Sequence, residues 1–139
     1  MNIHFICRGN VWRSKVAEAY ATSLLKHDSS IEISSSGIEA SRDYVGPFST
    51  YTKQVLERDN LWQYAHPAWT QTTQDIINQA DLLVFLNQDV FSDASHTFHI
   101  PKQKSIVWNI SDRNESYETI KTHVSELVKK LPLIIPSDQ

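Results

Sequence analysis

Residues 3–19 read IHFICRGNVWRSKVAEA, and this stretch predicts a strand, a turn and a helix in immediate succession. Residues 3–6 are typical of a short buried strand, and apolar residues recur at helical spacing from Ser14 onward. The turn between them carries the thiol of Cys7 and the guanidinium of Arg13, with five residues in between. The turn therefore lies at the N-terminus of a helix.

This position gives the turn an affinity for anions. Backbone N–H groups left unpaired in the first helical turn, together with the helix dipole, bind anions, and the same field stabilises a thiolate. Arg13 is a permanent cation with a planar fork of donors, which suits two phosphoryl oxygens better than a lysine would. We therefore expect Cys7 to be a nucleophile and Arg13 to hold the phosphoryl group.

The other residues of the turn fit the same role. Gly9 lets the backbone approach an anion closely, and Asn10 tolerates a left-handed conformation. Ser14 suits the start of a helix and can donate its hydroxyl to the sulfur. The expected substrate-binding residues are Arg8, Gly9, Asn10, Val11, Trp12 and Ser14.

Cys7 also has a structural interpretation. A lone cysteine at the end of a buried strand is more often a small apolar side chain, and an isolated C-x5-R match is a weak signal. The context favours the functional interpretation, because a strand precedes the turn, Gly9 and Asn10 lie within it and Arg13-Ser14 begins a helix. The nucleotide loops G-x-x-x-x-G-K-[ST] and G-x-G-x-x-G match less well.

The turn resembles the signature of the low-molecular-weight protein tyrosine phosphatases, C-x-G-N-x-x-R-S after the first strand. Weaker matches continue in the family's order over nearly the whole chain. They are Ala17-Glu18-Ala19, Ser35-Ser36-Gly37, Gly46-Pro47, His66-Pro67-Ala68, the strand at residues 81–86 and Asp112.

This resemblance implies a phosphomonoester hydrolase of the protein tyrosine phosphatase type, acting through a phosphocysteine intermediate. Its substrates would be phosphorylated proteins or small phosphomonoesters, and phosphate and vanadate would inhibit it. We expect no metal and no other cofactor, since the other histidines lack paired metal-ligand spacing and Cys7 is the sole cysteine.

Three further residues acquire roles from the resemblance. Asp112 would be the general acid for the leaving oxygen, although the segment 111–115 would also suit a solvated loop or a helix cap. Asp89 and Asp93 are poorer candidates because they follow a different strand. Ser35 and His66 would hydrogen-bond the side chain of Asn10 and support the turn.

The sequence departs from the family's pattern near the expected acid. Arg113 and Asn114 stand where the family has a proline and then aromatic residues, so we expect a less restricted loop and a missing wall for a phosphotyrosine ring. Trp12, Tyr44 and Tyr117 are candidate substitutes for that wall. Trp12 also stands where the family often has a second cysteine.

Composition limits the choice of partner and compartment. The chain of 139 residues suits one domain, residues 1–139, and its net charge of −3 gives no electrostatic case for nucleic acid or an anionic membrane. A single cysteine excludes an intramolecular disulfide. Without a recognisable targeting segment, we expect a cytoplasmic protein.

The order of elements predicts an α/β fold. We expect strands at 3–6, 31–34, 81–86 and 105–108, and helices from Ser14, at 49–59, at 72–79 with Thr72 as N-cap, and at 115–131 with Pro132 marking the end. Such alternation predicts one three-layer domain with a central parallel sheet of about four strands and helices on both faces. The phosphate-binding loop after the first strand would lie at the carboxyl edge, where ligands bind.

Two other functions remain open from the sequence. Related arsenate reductases use the same kind of loop, and a one-cysteine version would need an external thiol. A weakly active module that captures phosphorylated ligands would keep the loop and lose the acid. Phosphatase and arsenate assays with and without thiol distinguish the three.

Overall fold

Strands and helices alternate along the chain. The computed structural model describes residues 1–40 and 50–134. In this part of the chain the strands are β1 (Asn2–Cys7), β2 (Glu32–Gly37), β3 (Leu82–Phe85) and β4 (Ser105–Val107). The α-helices are α1 (Arg13–Leu25), α2 (Thr50–Arg58), α3 (Gln74–Gln79), α4 (Gln88–Thr97) and α5 (Tyr117–Ile134), and short 3₁₀ turns lie at Trp62–Tyr64, Lys102–Lys104 and Asn114–Ser116.

The four strands form one parallel sheet in the order β2-β1-β3-β4. In the register of the sheet, Ile6 of β1 lies between Ser36 of β2 and Phe85 of β3. Because all strands run in the same direction, their carboxyl ends share one edge, and Cys7 ends β1 at this edge. The sheet confirms the α/β prediction and places the Cys7 turn where parallel sheets bind ligands.

Helices cover both faces of the sheet. On one face, Phe5 of β1 belongs to a buried cluster with Val16 of α1 and Ile120 of α5. On the other face, Ile6 belongs to a second buried cluster that includes Ile77 of α3 and Val90 of α4. Adjacent β1 side chains thus point to opposite faces, as the pleat requires, and the predicted three layers are confirmed.

The predicted start of α3 and the predicted end of α5 were wrong. Thr73 caps α3 by accepting a hydrogen bond from Ile76 N at 3.2 Å, whereas the expected cap Thr72 is buried, with its Oγ1 2.6 Å from Ser36 Oγ. Helix α5 runs to Ile134, past the expected stop at Pro132. Proline within a helix removes one N–H bond and crowds the carbonyl four residues earlier, but the buried Leu131 still holds this end of the helix on the core.

Helix α4 was not predicted. It begins after Asn87, whose side-chain oxygen accepts a hydrogen bond from Asp89 N at 2.8 Å. Only Val90 and Ala94 of this helix are buried, so its amphipathic signal is narrow.

Gly46-Pro47 and Tyr44, singled out from the sequence, lie outside the described residues. Within residues 1–40 and 50–134, no helix has the length and apolar character needed to cross a membrane.

His4 lies buried in β1 within a polar cluster. Its Nδ1 is 2.6 Å from Ser34 Oγ and its Nε2 is 2.7 Å from Ser36 Oγ. Burial, reinforced by the nearby charge of Lys15, lowers the pKa of His4 from 6.5 to about 4. The ring is therefore neutral at neutral pH, and the hydroxyls can supply one donor and one acceptor.

We expect the free energy of unfolding to fall as the pH drops from about 6.5 toward about 4. In this range His4 is protonated in the unfolded chain and stays neutral in the folded chain. This difference lowers the free energy of unfolding by up to about 3 kcal/mol. Urea denaturation of the wild type across this range measures the effect. His4→Asn should remove most of this slope, and His27→Asn, at an exposed position, should keep it. An unchanged slope in His4→Asn would contradict the assignment.

Candidate active site

Residues Cys7–Ser14, called here the Cys7 loop, join β1 to the N-terminus of α1. The loop rests on the chain that follows β2, since Ile38 N donates to Cys7 O at 3.0 Å and Glu39 N donates to Arg8 O at 2.8 Å. A Cβ atom at Gly37 would lie 2.5 Å from Arg8 O and 2.7 Å from Asn10 N. Gly37 is therefore needed for the close packing of the loop against the end of β2.

Two polar groups lie close to the sulfur of Cys7, and this residue is 3% exposed. Asn10 N donates to Sγ at 3.2 Å, and Ser14 Oγ lies 2.8 Å from Sγ. A backbone N–H and a hydroxyl thus face the sulfur at the start of α1. Both groups can donate a hydrogen bond to the sulfur, which lies at the N-terminal end of the helix dipole.

Asn10 holds the loop from within. It has a left-handed φ of 59°, as the sequence predicts, and it is fully buried. Its Nδ2 donates to Ser14 Oγ at 2.8 Å and to Ser35 Oγ at 2.9 Å, while its Oδ1 accepts from Thr70 N at 2.7 Å. The side chain therefore has partners that offset the cost of its backbone conformation.

His66 supports the loop differently from the expected way. Its ring Nδ1 lies 3.2 Å from Ala68 O and 3.3 Å from Ala68 N, and the carboxamide oxygen of Asn10 accepts instead from Thr70 N. The backbone N–H of His66 donates to Glu18 Oε2 at 2.6 Å. The expected ring contact with Asn10 is wrong, and the expected contact of Ser35 is present.

Lys15 and Glu18 form a buried ion pair that the sequence did not predict. Glu18 Oε1 accepts from the Ser35 hydroxyl and lies 3.5 Å from Lys15 Nζ. Lys15 also donates to the carbonyls of His66 and Ala68, both at 2.9 Å. Burial lowers the pKa of Lys15, against the opposing effect of Glu18. The pair fastens the chain near His66 to α1 and, through Ser35, to Asn10.

Arg13 and Asp112 meet over the loop. Arg13 Nη1 donates to Ile110 O at 3.2 Å, and Arg13 Nε lies 3.6 Å from Asp112 Oδ1. The Arg13 side chain is 7% exposed and that of Asp112 is 67% exposed. Arg13 Nε is buried and makes no hydrogen bond within the described part of the chain. The structure thus brings a buried guanidinium and an exposed carboxylate to one place.

The space above these residues is a pocket of about 240 Å³. Its lining is polar and charged apart from one valine, and consists of Arg8, Arg13, Asn87, Asp89, Val90 and Asp112. Arg8 forms ion pairs with Glu39 at 3.2 Å and with Asp93 at 2.8 Å. The carboxylate of Asp93 is therefore paired with a cation of the pocket lining. Asp89 lines the pocket from the first turn of α4.

Val11 and Trp12, which were also predicted to bind substrate, contact other parts of the protein. Thr52 Oγ1 donates to Val11 O at 2.6 Å, which ties α2 to the loop. Trp12 is 8% exposed, and its ring centroid lies 5.2 Å from that of Tyr51 and 6.1 Å from that of Tyr117. Its Nε1 donates to Arg113 O at 3.0 Å. Trp12 therefore packs beneath the surface and does not form an open wall.

Metal-binding side chains do not converge in the described residues. In residues 1–40 and 50–134, no three His, Cys, Asp or Glu side chains are placed to hold one metal ion. The guanidinium of Arg13 and the carboxylate of Asp112 line the pocket, and the thiol of Cys7 is buried in the loop that carries Arg13.

Comparison with known proteins gives a consistent picture. Residues 2–131 match the family model described as low molecular weight phosphotyrosine protein phosphatase. Low molecular weight protein-tyrosine-phosphatase PtpB of Staphylococcus epidermidis is 28% identical over 142 residues, which cover 94% of this chain and 96% of that protein.

Two solved structures share the fold. The low molecular weight protein tyrosine phosphatase SP-PTP of Streptococcus pyogenes has a TM-score of 0.79 and 19% identity, over 94% of this chain and 92% of that chain. The thioredoxin-dependent arsenate reductase Cg_ArsC1' of Corynebacterium glutamicum has a TM-score of 0.72 and 20% identity, over 95% of this chain and 62% of that chain. At these identities the likeness concerns the fold alone.

Proposed function

The chain belongs to the low molecular weight phosphotyrosine protein phosphatase family and is a phosphatase of that type, and we propose that Cys7, Arg13 and Asp112 carry its chemistry. The observation that supports this assignment is the arrangement of side chains around the Cys7 loop. Cys7 Sγ faces two donors at the start of α1, and the Arg13–Asp112 pair lies above the same loop. We assign the phosphate-binding role to the Cys7 loop.

In the first step, the thiolate of Cys7 attacks phosphorus, so an S–P bond forms as the P–O bond to the leaving group breaks. Arg13 holds two phosphoryl oxygens, and its buried Nε, which lacks a hydrogen bond within the described residues, would gain an acceptor. Asp112, displaced from Arg13 by the phosphate, acts after it has taken up a proton from solvent: the carboxylic acid gives this proton to the leaving oxygen and becomes the carboxylate of the second step. The product of this step is a phosphocysteine and a neutral alcohol.

In the second step, water attacks the phosphocysteine and releases phosphate. The Asp112 carboxylate takes a proton from the water, and the S–P electron pair returns to sulfur. The Ser14 hydroxyl, 2.8 Å from Sγ, and Asn10 N, 3.2 Å from Sγ, stabilise the departing thiolate. The loop is thus suited to both steps without a metal or another cofactor.

We propose phosphotyrosine in proteins as the substrate class, and small aryl phosphates as substrates for assays. The family match supports this choice, and phosphate and vanadate would bind in the same loop and inhibit. The net charge of −3 favours neither nucleic acid nor an anionic membrane as a partner. We treat residues 1–139 as one phosphatase domain, and its dependence on a reduced thiol suits the cytoplasm.

The arsenate reductase alternative has less support. Cys7 is the sole cysteine of this sequence, so a disulfide relay within the chain has no second thiol and an arsenate reductase of this kind would depend on an external thiol, whereas the family match supports a phosphatase. A phosphate-binding module is also less well supported, because Asp112 does lie beside Arg13 as an acid would. Wild-type protein should therefore release phosphate without added thiol partner or metal, and should reduce arsenate poorly even with thiol present.

The Asp112→Asn variant tests the proposed acid. Turnover of a phosphotyrosine peptide should fall about 10²–10⁴-fold, because its phenolate leaves poorly without a proton. Turnover of an aryl phosphate with an acidic phenol should fall much less, and the affinity for phosphate should change little. Steady-state kinetics with both substrates measure the difference.

Asp89→Asn is the matched control, because Asp89 lines the same pocket. It should show no selective loss with the poor leaving group. Equal losses for both substrates in Asp112→Asn, or a selective loss in Asp89→Asn, would reassign the acid.

A further inference from the structure

The segment that carries Asp112 is held mostly by its own hydrogen bonds. Ser116 Oγ donates to Ser111 O at 2.6 Å, Arg113 N to Ser111 O at 3.0 Å, and Ser116 N to Arg113 O at 3.1 Å. These bonds shape residues 111–116, called here the acid loop. They do not fix its position relative to the Cys7 loop.

Two neighbouring residues of the Cys7 loop reach two neighbouring residues of the acid loop. Trp12 Nε1 donates to Arg113 O at 3.0 Å, and Arg13 Nε lies 3.6 Å from Asp112 Oδ1. The second contact must change when phosphate takes the guanidinium of Arg13. The first contact does not involve the phosphate and can persist through the reaction.

The donor in that first contact is held rigidly. Trp12 is 8% exposed, and its ring contacts the rings of Tyr51 and Tyr117, with centroid distances of 5.2 Å and 6.1 Å. Burial on this scale leaves the indole few alternative rotamers, and a shielded hydrogen bond competes less with water. The indole N–H is therefore fixed relative to the Cys7 loop, to which Trp12 belongs.

We propose that Trp12 is a positioning residue, whose indole N–H fixes the carbonyl of Arg113 and thereby holds Asp112 over the phosphoryl group. This inference rests on the proposed role of Asp112. A proline after Asp112 would restrict the loop through its backbone, and this chain has Arg113 there. The hydrogen bond from Trp12 supplies a restriction from outside the loop instead.

The buried position of Trp12 differs from the role that the sequence predicts for this residue. The predicted role was a contact with substrate or a wall for a phosphotyrosine ring, but the indole is buried against the rings of Tyr51 and Tyr117. Its influence on the reaction passes through the acid loop. Trp12 thereby joins the Cys7 loop to the acid loop, in addition to the contact of Arg13 with Asp112.

Trp12→Phe tests the inference, because phenylalanine keeps an aromatic ring and lacks the N–H donor. Turnover of a phosphotyrosine peptide should fall about 3- to 10-fold, the range expected for one lost hydrogen bond. Turnover of an aryl phosphate with an acidic phenol, and the inhibition constant of inorganic phosphate, should change less than about twofold. Benzothienylalanine at position 12, which keeps the indole shape without the N–H, should give the same result if phenylalanine packs poorly.

Trp108→Phe is the matched control, since the Trp108 ring packs on Phe5 and His123. It should leave the ratio of the two turnover numbers unchanged. In an Asp112→Asn background, Trp12→Phe should add no further change in that ratio, because the proton it positions is gone.

Three outcomes are decisive. Equal losses for both substrates in both Trp12 variants would show a general structural effect and overturn the inference. A further change in the ratio on the Asp112→Asn background would also overturn it. If Asp112→Asn alone lacks the selective loss, the proposed acid fails and this inference fails with it.

Discussion

Cys7→Ser should abolish turnover and leave phosphate binding intact. A serine hydroxyl is a far weaker nucleophile at neutral pH than a thiolate held by the Asn10 N–H and the Ser14 hydroxyl. Loss of the nucleophile should lower kcat on the order of 10⁴- to 10⁶-fold. Serine differs from cysteine by one atom, so the anion site formed by the loop backbone should persist.

Turnover of an aryl phosphate measures the loss, and calorimetric titration with inorganic phosphate measures the binding that remains. Mass spectrometry must confirm the substitution, because traces of wild type would mimic residual activity. Ser95→Ala, on the exposed side of α4, serves as a preparation control. Substantial turnover in verified Cys7→Ser protein would remove Cys7 as the nucleophile.

Arg13→Lys should produce the second largest loss. The guanidinium reaches Ile110 O and Asp112 at once, and its buried Nε makes no hydrogen bond in the described residues. An ammonium is a single point charge and cannot bind two equatorial oxygens in one plane. We expect kcat to fall about 10²- to 10³-fold, with weaker phosphate binding as well.

Arg58→Lys is the matched control for this exchange. Arg58 pairs with Asp59 at the end of α2 and lies outside the pocket lining. Steady-state kinetics should therefore be unchanged in that variant. Kinetics close to wild type in Arg13→Lys would mean that another group carries the phosphoryl charge.

The loop was predictable because its signals are local. A strand, a turn with Asn10 and a helix start follow within a few residues, and each has its own backbone requirement. The left-handed φ of Asn10 and the contact of Ser35 with its side chain agree with that prediction. Burial of Gly37 against the loop was less visible, because it depends on how β2 pairs with β1.

What the sequence did not predict depends on tertiary burial. Lys15 is a charged residue at the start of a helix and would ordinarily face solvent, yet it is buried with Glu18 and two carbonyls. That pair contacts the backbone at His66, and Thr70 takes the place expected for the His66 ring at Asn10. Helical periodicity alone does not encode which carbonyls a neighbouring segment will present.

Trp12 shows the same limit at the site itself. From the sequence, an aromatic residue in the loop suggests a wall for a phosphotyrosine ring. The contact with Arg113 joins positions 101 residues apart, and only the folded chain brings them together. The missing proline after Asp112 was visible in the sequence, but the hydrogen bond that restrains the loop was not.

Direct trapping of the intermediate tests the central claim. Wild-type protein mixed with an aryl phosphate that has an acidic phenol is quenched in the millisecond range, and the peptide containing Cys7 is analysed by mass spectrometry. We expect one phosphoryl group on Cys7, and more of it in Asp112→Asn, because the carboxylate that activates water is missing. Phosphate release without any phosphorylated Cys7, or a phosphoryl group on a different residue, would contradict the mechanism.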